Sequence, residues 1–168
     1  LTIKNLKYFE ELFMAQNRGT ILIVDDEAGP RESLRMILKP IYNIFTAANG
    51  KEALEIIEKE NIDLVTLDLN MPGLSGIEVL KEIKKIKSDV EVIIVTGYGT
   101  LKNAQEVIRY GAGDFISKPF NVADIVAIVS KSFERRNYNL KINNLIQQIK
   151  GLKSMNENQI LEKEISFR

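Results

Sequence analysis

Four apolar runs in this chain each end on a charged or hydroxylated residue, and that placement limits the folds open to it. Thr20-Ile21-Leu22-Ile23-Val24 leads into Asp25-Asp26, Ile62 to Leu67 into Asp68, Val90 to Val95 into Thr96, and Asp114 to Ser117 into Lys118-Pro119. Each run reads as a strand. In open parallel sheets the strand C-termini share one edge, so residues distant in sequence converge in one crevice where ligands bind. Packing alone does not collect three carboxylates, a hydroxyl and an ammonium at such positions.

Helical patterns fill the gaps between these runs, and the alternation predicts βαβ units with a parallel sheet. Pro30, a favoured first-turn residue, opens a helix that carries Leu34, Ile37 and Leu38 inward and stops before Pro40. Tyr42 to Ala47 is a second strand. Asn49 is placed to cap a helix with Ala53, Leu54, Ile56 and Ile57 on its buried face, ending before Asn61. Met71 to Gly76 is a turn, and Ser75 with Glu78 forms a capping box for a helix repeating through Ile77, Leu80, Ile83 and Lys84. Leu101 to Tyr110, closed by Gly111, is a fourth helix; a fifth opens at Asn121 along Val122, Ile125, Val126 and Val129. Five strands and five helices over roughly 120 residues make a normal single domain. The simplest right-handed closure is α/β: a flavodoxin-like three-layer sandwich around a five-stranded parallel sheet of order 2-1-3-4-5.

At 168 residues the chain holds such a domain plus an appendage. Its 23 basic residues balance 23 acidic ones, so no overall field draws it to nucleic acid or an acidic membrane, and no direct nucleic-acid contact is expected of this segment. The absence of cysteine excludes a disulfide framework and fits a cytoplasmic setting. The absence of histidine excludes His-ligated zinc, a Ser-His-Asp triad and a phosphohistidine made by this chain. There is no signal peptide and no apolar run long enough to span a bilayer. The start at Leu1 fits a fragment of something larger.

Three segments are expected. Residues 1–18 place Leu6, Phe9, Leu12 and Phe13 on one face of a short amphipathic helix, and residues 19–136 hold the sheet domain. No Pro or Gly interrupts the chain from Asn121 to Lys150, so the fifth helix is expected to run for about 30 residues, roughly 45 Å. Within it Tyr138, Ile142, Leu145, Ile149 and Leu152 follow the spacing of a two-heptad coiled-coil seam, although Lys131 and Arg135 stop that seam from extending backward. Residues 137–168 thus read as a helical linker able to pair two chains, with a polar tail after Gly151 that is expected to fray.

Adjacent acids after the first strand and a third after the third strand raise one another's pKa unless a cation is present. Mg²⁺ is the natural cation for carboxylates, a main-chain carbonyl and water. The plainer alternative is that Asp25 and Asp26 cap the following helix, which accounts for either acid singly but poorly for three together. Lys118 offers a cation to a phosphoryl oxygen, Thr96 a hydroxyl to a second, and Gly97 an unobstructed N–H to a third. Such a set neutralises a transferred phosphoryl group, whose chemistry rests on positioning and charge. A carboxylate can be the nucleophile. Asp68 is the candidate, standing where metal and lysine both reach it.

Val24-Asp25-Asp26-Glu27, Leu67-Asp68-Leu69-Asn70-Met71-Pro72-Gly73, Val95-Thr96-Gly97 and Phe115-Ile116-Ser117-Lys118-Pro119-Phe120, in this order, resemble the receiver domain of two-component response regulators. The resemblance covers roughly residues 19–136. Val95 to Thr100 and Lys118-Pro119-Phe120 look most like the transcriptional activator branch that carries an ATPase domain. It implies that Asp68 accepts phosphate from a sensor histidine kinase or phosphotransfer protein. It further implies that Asp26 and Asp68 bind Mg²⁺ directly, Asp25 through water, and the Asn70 carbonyl completes the set. Lys118 would bind the phosphoryl group and precede a cis peptide at Pro119. Thr96 and Phe115 match the family's switch pair, acting on the face made by the fourth helix, fifth strand and fifth helix; an ordinary core aromatic and a satisfied strand threonine are the plainer readings. Tyr98 would border the phosphoryl group and tune how fast water removes it, or equally contact a partner. The linker would dimerise and control an output domain that lies outside this sequence.

Other functional classes fit less well. A magnesium-dependent phosphatase with an aspartate nucleophile needs a second acid two residues on, where Asn70 stands. The expectation is therefore no enzyme beyond self-phosphorylation and self-dephosphorylation. An interaction module regulated without phosphate usually lacks an acid or the lysine, and none is missing. A dinucleotide-binding enzyme needs a glycine-rich loop where Asp25 to Pro30 has none.

Overall fold

The computed structural model describes residues 18–97 and 101–166, with 101–104 and 152–166 described by backbone alone. Apolar runs and helical stretches alternate as β1 (Thr20–Val24), α1 (Ala28–Leu38), β2 (Asn43–Ala47), α2 (Gly50–Lys59), β3 (Leu64–Leu67), α3 (Gly76–Ile86), β4 (Glu91–Thr96), α4 (Leu101–Arg109), β5 (Asp114–Ser117) and α5 (Val122–Ser166). The five strands pair in parallel in the order β2-β1-β3-β4-β5. The chain turns one way from β1 to β2 and the other way from β3 on. The switch point of this flavodoxin-like sheet therefore lies between β1 and β3.

Side chains alternate across the sheet and seed two cores. Leu22, Val24, Val65, Leu67 and Ile94 join Ala53, Ile57, Val79, Leu80, Ile83 and Val107, which places α2, α3 and α4 on one face. Ile21, Ile23, Leu64, Ile93 and Val95 join Leu34, Leu38, Ile125 and Val129 of α1 and α5 on the other. Each fully buried Leu or Ile contributes roughly 1.5–3 kcal/mol relative to exposure, so β1, β3 and β4, covered on both sides, form a stiff platform.

Local chemistry sets the helix starts. The Asn49 side chain accepts the Glu52 N–H, Ser75 and Glu78 complete a reciprocal capping box, and the Asn121 side chain accepts the Asp124 N–H. Differences from the sequence expectation are local. The first helix begins at Ala28 rather than near Pro30. Ile62 is buried, but its N–H donates to the Glu60 carbonyl at 3.1 Å instead of a ladder, so β3 starts only at Leu64. Val122 is exposed although it lies on the apolar pattern of α5.

Compact packing divides the chain into a unit running to Phe133 and another beginning at Glu134. The helix runs through Gly151 to Ser166, since one glycine costs only about 1 kcal/mol against a long helical run. In this second unit Tyr138, Ile142, Leu145 and Ile149 of the heptad seam are all exposed. The leading helix expected over residues 1–18 lies almost wholly outside the described residues, and no described helix is long and apolar enough to cross a membrane.

Thr66, at the centre of β3, is buried with a hydroxyl that has no hydrogen-bond partner among the described residues. Burying an unpaired hydroxyl costs free energy that an apolar replacement of the same shape recovers. Thr66→Val is therefore expected to raise stability by about 1 kcal/mol. Urea unfolding checks this; a midpoint unchanged or lowered counts against it.

Candidate functional site

The crevice is assembled by residues one step beyond the strands, each still tied to the neighbouring strand. The Asp25 N–H donates to the Ala47 carbonyl at 3.2 Å, the Asp68 N–H to Val24 at 2.9 Å and the Lys118 N–H to Thr96 at 2.9 Å. Ladder geometry thus reaches past the formal strand ends and holds these backbones rigidly. The carboxylates of Asp25, Asp26 and Asp68 come together at the switch point, with one oxygen from each lying within 4.8 Å of the others.

Lys118 bridges two of them. Its Nζ lies 2.7 Å from Asp25 Oδ2 and 2.6 Å from Asp68 Oδ2. The remaining oxygens of this pair are taken locally: Asp25 Oδ1 accepts the Glu27 N–H at 3.0 Å, and Asp68 Oδ1 accepts the Asn70 N–H at 3.1 Å. Asp26 differs, since its Oδ1 is buried and has no partner among the described residues. A buried carboxylate oxygen left bare beside two other acids is the chemistry that a hard divalent cation relieves. The donor set therefore fits Mg²⁺.

Electrostatics report the same crowding. Burial pushes the Asp25 carboxyl above the usual carboxylate range; hydrogen bonding and charge from Lys118 and the Glu27 N–H only partly offset it, and the Asp68 charge adds to the rise. Burial alone would lower the Lys118 ammonium, but its hydrogen bonds to Asp25 and Asp68 carry it above the usual lysine value. The folded chain holds the Asp25 proton more tightly than the unfolded chain does. Its contribution to stability is thus present in acid and lost as pH rises through that elevated pKa. Lys118 likewise contributes below its ordinary pKa and loses this only in strong alkali. As pH falls toward the ordinary carboxylate range, the metal-free protein is expected to gain thermal stability from Asp25, and Asp25→Asn to flatten that slope. A slope of opposite sign in the parent would refute it.

Thr96 ends β4 fully buried, in register with Ser117, while Phe115 pairs with Ile94. The two-residue step puts Thr96 and Phe115 on one face of the sheet, the face covered by α2, α3 and α4. Phe115 is half-buried and lines a cavity of about 540 Å³ with Phe120, Ile128 and Lys131. Gly97 and Asn70 are exposed at the rim, and the Lys118–Pro119 peptide is cis, as the resemblance implies. Tyr98 lies outside the described residues.

Two residues of the site escape sequence reasoning. Gly76 opens α3 with its N–H 3.2 Å from the Leu69 carbonyl, and a side chain there would strike the Asp68 backbone. Arg31, on the first turn of α1, donates from Nη1 to the carbonyls of Asp25 at 2.6 Å and Asp26 at 3.3 Å. A glycine directly after a capping serine, in a poor position for helix propensity, is the available signal for the first. An arginine five residues beyond an acidic pair is that for the second.

Fold and site together define a flavodoxin-like α/β domain with a metal-competent carboxylate–lysine crevice at its switch point. The chain belongs to the response regulator receiver domain family, whose sequence profile matches residues 21–130. It is 46% identical over 112 residues to the sporulation initiation phosphotransferase F of Bacillus subtilis, spanning 66% of this chain and 90% of that protein. Its fold matches a CheY-like receiver domain protein from Methanospirillum hungatei with a TM-score of 0.71 and 31% identity, covering 73% of this chain and 99% of that one. NtrX from Brucella abortus, solved in complex with ADP, matches with a TM-score of 0.73 and 32% identity over 76% of this chain but only 30% of its own.

Proposed function

We propose that this chain is a phospho-accepting receiver whose Asp68 takes a phosphoryl group from a sensor histidine kinase or phosphotransfer protein in the cytoplasm. The observation that carries this reading is the convergence of Asp25, Asp26 and Asp68 within ligand distance of one another, with Lys118 bridging two of them. Asp25, Asp26, Asp68 and the Asn70 carbonyl would hold Mg²⁺, which when bound neutralises charge on the phosphoryl oxygens. Lys118 sits ready to exchange its contact with Asp68 for one with the incoming phosphoryl group. Thr96 and Gly97 offer the hydroxyl and N–H for its other oxygens, and Tyr98 governs access of water.

Phosphate at Asp68 would draw Thr96 toward it, and Phe115, on the same sheet face, would turn inward behind. The face of α4, β5 and α5 carries the result. The chain acts on no other substrate. Its likeness to part of an ADP-binding NtrX chain supports an output of the ATPase-containing activator branch. The exposed seam of Tyr138, Ile142, Leu145 and Ile149 supports parallel pairing of two linkers. Light scattering is expected to show a dimer in at least one phosphorylation state; a monomer at high concentration in both would sink the pairing.

Incubation with acetyl phosphate tests the acceptor role. One phosphate per chain, taken up only with Mg²⁺ and released by hydroxylamine as acyl phosphates are, is the expected result. Uptake that ignores Mg²⁺, or none at all, would overturn it.

A further inference from the structure

The β1–α1 corner has a gap in its backbone hydrogen bonding that one side chain fills. The N-cap of α1 is Glu27, whose carbonyl accepts the Arg31 N–H at 3.3 Å, so the carbonyls of Asp25 and Asp26 lie ahead of the helix and outside its hydrogen-bond ladder. The helix also has no side-chain N-cap. Arg31 supplies a donor to both: its Nη1 reaches the Asp26 carbonyl at 3.3 Å and the Asp25 carbonyl at 2.6 Å. For Asp26, whose carboxylate Oδ1 is unpartnered, this is the one hydrogen bond among the described residues that ties it down.

We infer that Arg31 is a positioning residue for cation binding: by clamping both main-chain carbonyls from behind, it fixes the corner so that the Asp25 and Asp26 carboxylates stay directed into the crevice. It does so without occupying either carboxylate, because its hydrogen bonds go to carbonyl oxygens. Partners that orient metal ligands in this way typically change metal affinity 10- to 100-fold when removed. The sign of the effect is diagnostic. Arg31 carries a positive charge beside a cation site, so charge removal alone would tighten Mg²⁺ binding. Loss of positioning weakens it.

The inference rests on the crevice being the Mg²⁺ site proposed above, and calorimetric titration of the full chain with Mg²⁺ tests it apart from phosphorylation. Arg31→Ala is expected to weaken Mg²⁺ binding about tenfold, with Arg31→Lys, which keeps the charge but holds a single carbonyl, in between. Unchanged or tighter binding in Arg31→Ala overturns the inference. If circular dichroism shows that Arg31→Ala does not fold, Arg31→Lys carries the test, and parental affinity in it is the overturning result. A parent that binds Mg²⁺ but takes up no phosphate would refute the acceptor role and leave Arg31 standing. A parent that takes up phosphate while Arg31→Ala keeps its Mg²⁺ affinity would do the reverse.

Discussion

Asp68→Asn is expected to reduce phosphate uptake from acetyl phosphate to background while leaving the chain folded. An amide is no nucleophile toward phosphorus, and it removes one of three charges that make the crevice attractive to a divalent cation. The fold tolerates the change for identifiable reasons. The Asn70 N–H that Asp68 Oδ1 accepts at 3.1 Å can be met by an amide oxygen, and Lys118 keeps Asp25 at 2.7 Å. The backbone bond from Asp68 to Val24 does not involve the side chain. Loss of label with an unchanged unfolding midpoint therefore separates chemistry from stability. Label retained at the parental level in the variant would place the acceptor elsewhere.

The largest expected loss of stability comes from a residue with no side chain. A Cβ on Gly76 would sit 2.3 Å from the Asp68 carbonyl oxygen and 2.6 Å from the Leu69 Cα. Both are backbone atoms, held by the ladder bond of Asp68 and by the Gly76–Leu69 bond at 3.2 Å, so neither can rotate away. Gly76→Ala must push α3 from the β3 loop, and overpacking of this kind costs up to about 3 kcal/mol or more. The same displacement would move Asp68, so phosphate uptake is expected to fall with stability. Gly29 is the control. It lies in α1, where an added methyl group would meet nothing within 4 Å, and Gly29→Ala is expected to stabilise by about 0.5–1 kcal/mol through helix propensity. Denaturant unfolding of both variants checks the pair; equal effects would contradict the close approach at Gly76.

Much of this is legible in residue order. Strand-end charges, capping signals at Asn49 and Ser75, and alternating periodicities lead to the observed strand order and to the convergence of Asp25, Asp26, Asp68 and Lys118. Boundaries are less legible because burial and hydrogen bonding are separate requirements. Ile62 satisfies the first without joining the ladder. The extent of α5 beyond Gly151 is hidden because a glycine reads as a stop, whereas its cost is small beside the cooperative bonds on either side.

The sequence by itself determined the alternation of elements, the side chains that point at one edge, and the kind of chemistry they can share. These follow from periodicity, caps and charge, all of which act over a few neighbouring residues. Only the tertiary structure decided which oxygen each donor holds. It showed Lys118 shared between Asp25 and Asp68, Asp26 left bare, Arg31 on two carbonyls, and Gly76 pressed against the Asp68 backbone. Those choices depend on ångström separations between segments up to 93 residues apart in the chain, as Asp25 and Lys118 are. Such separations are set by how two cores pack against one sheet, and no local pattern encodes them.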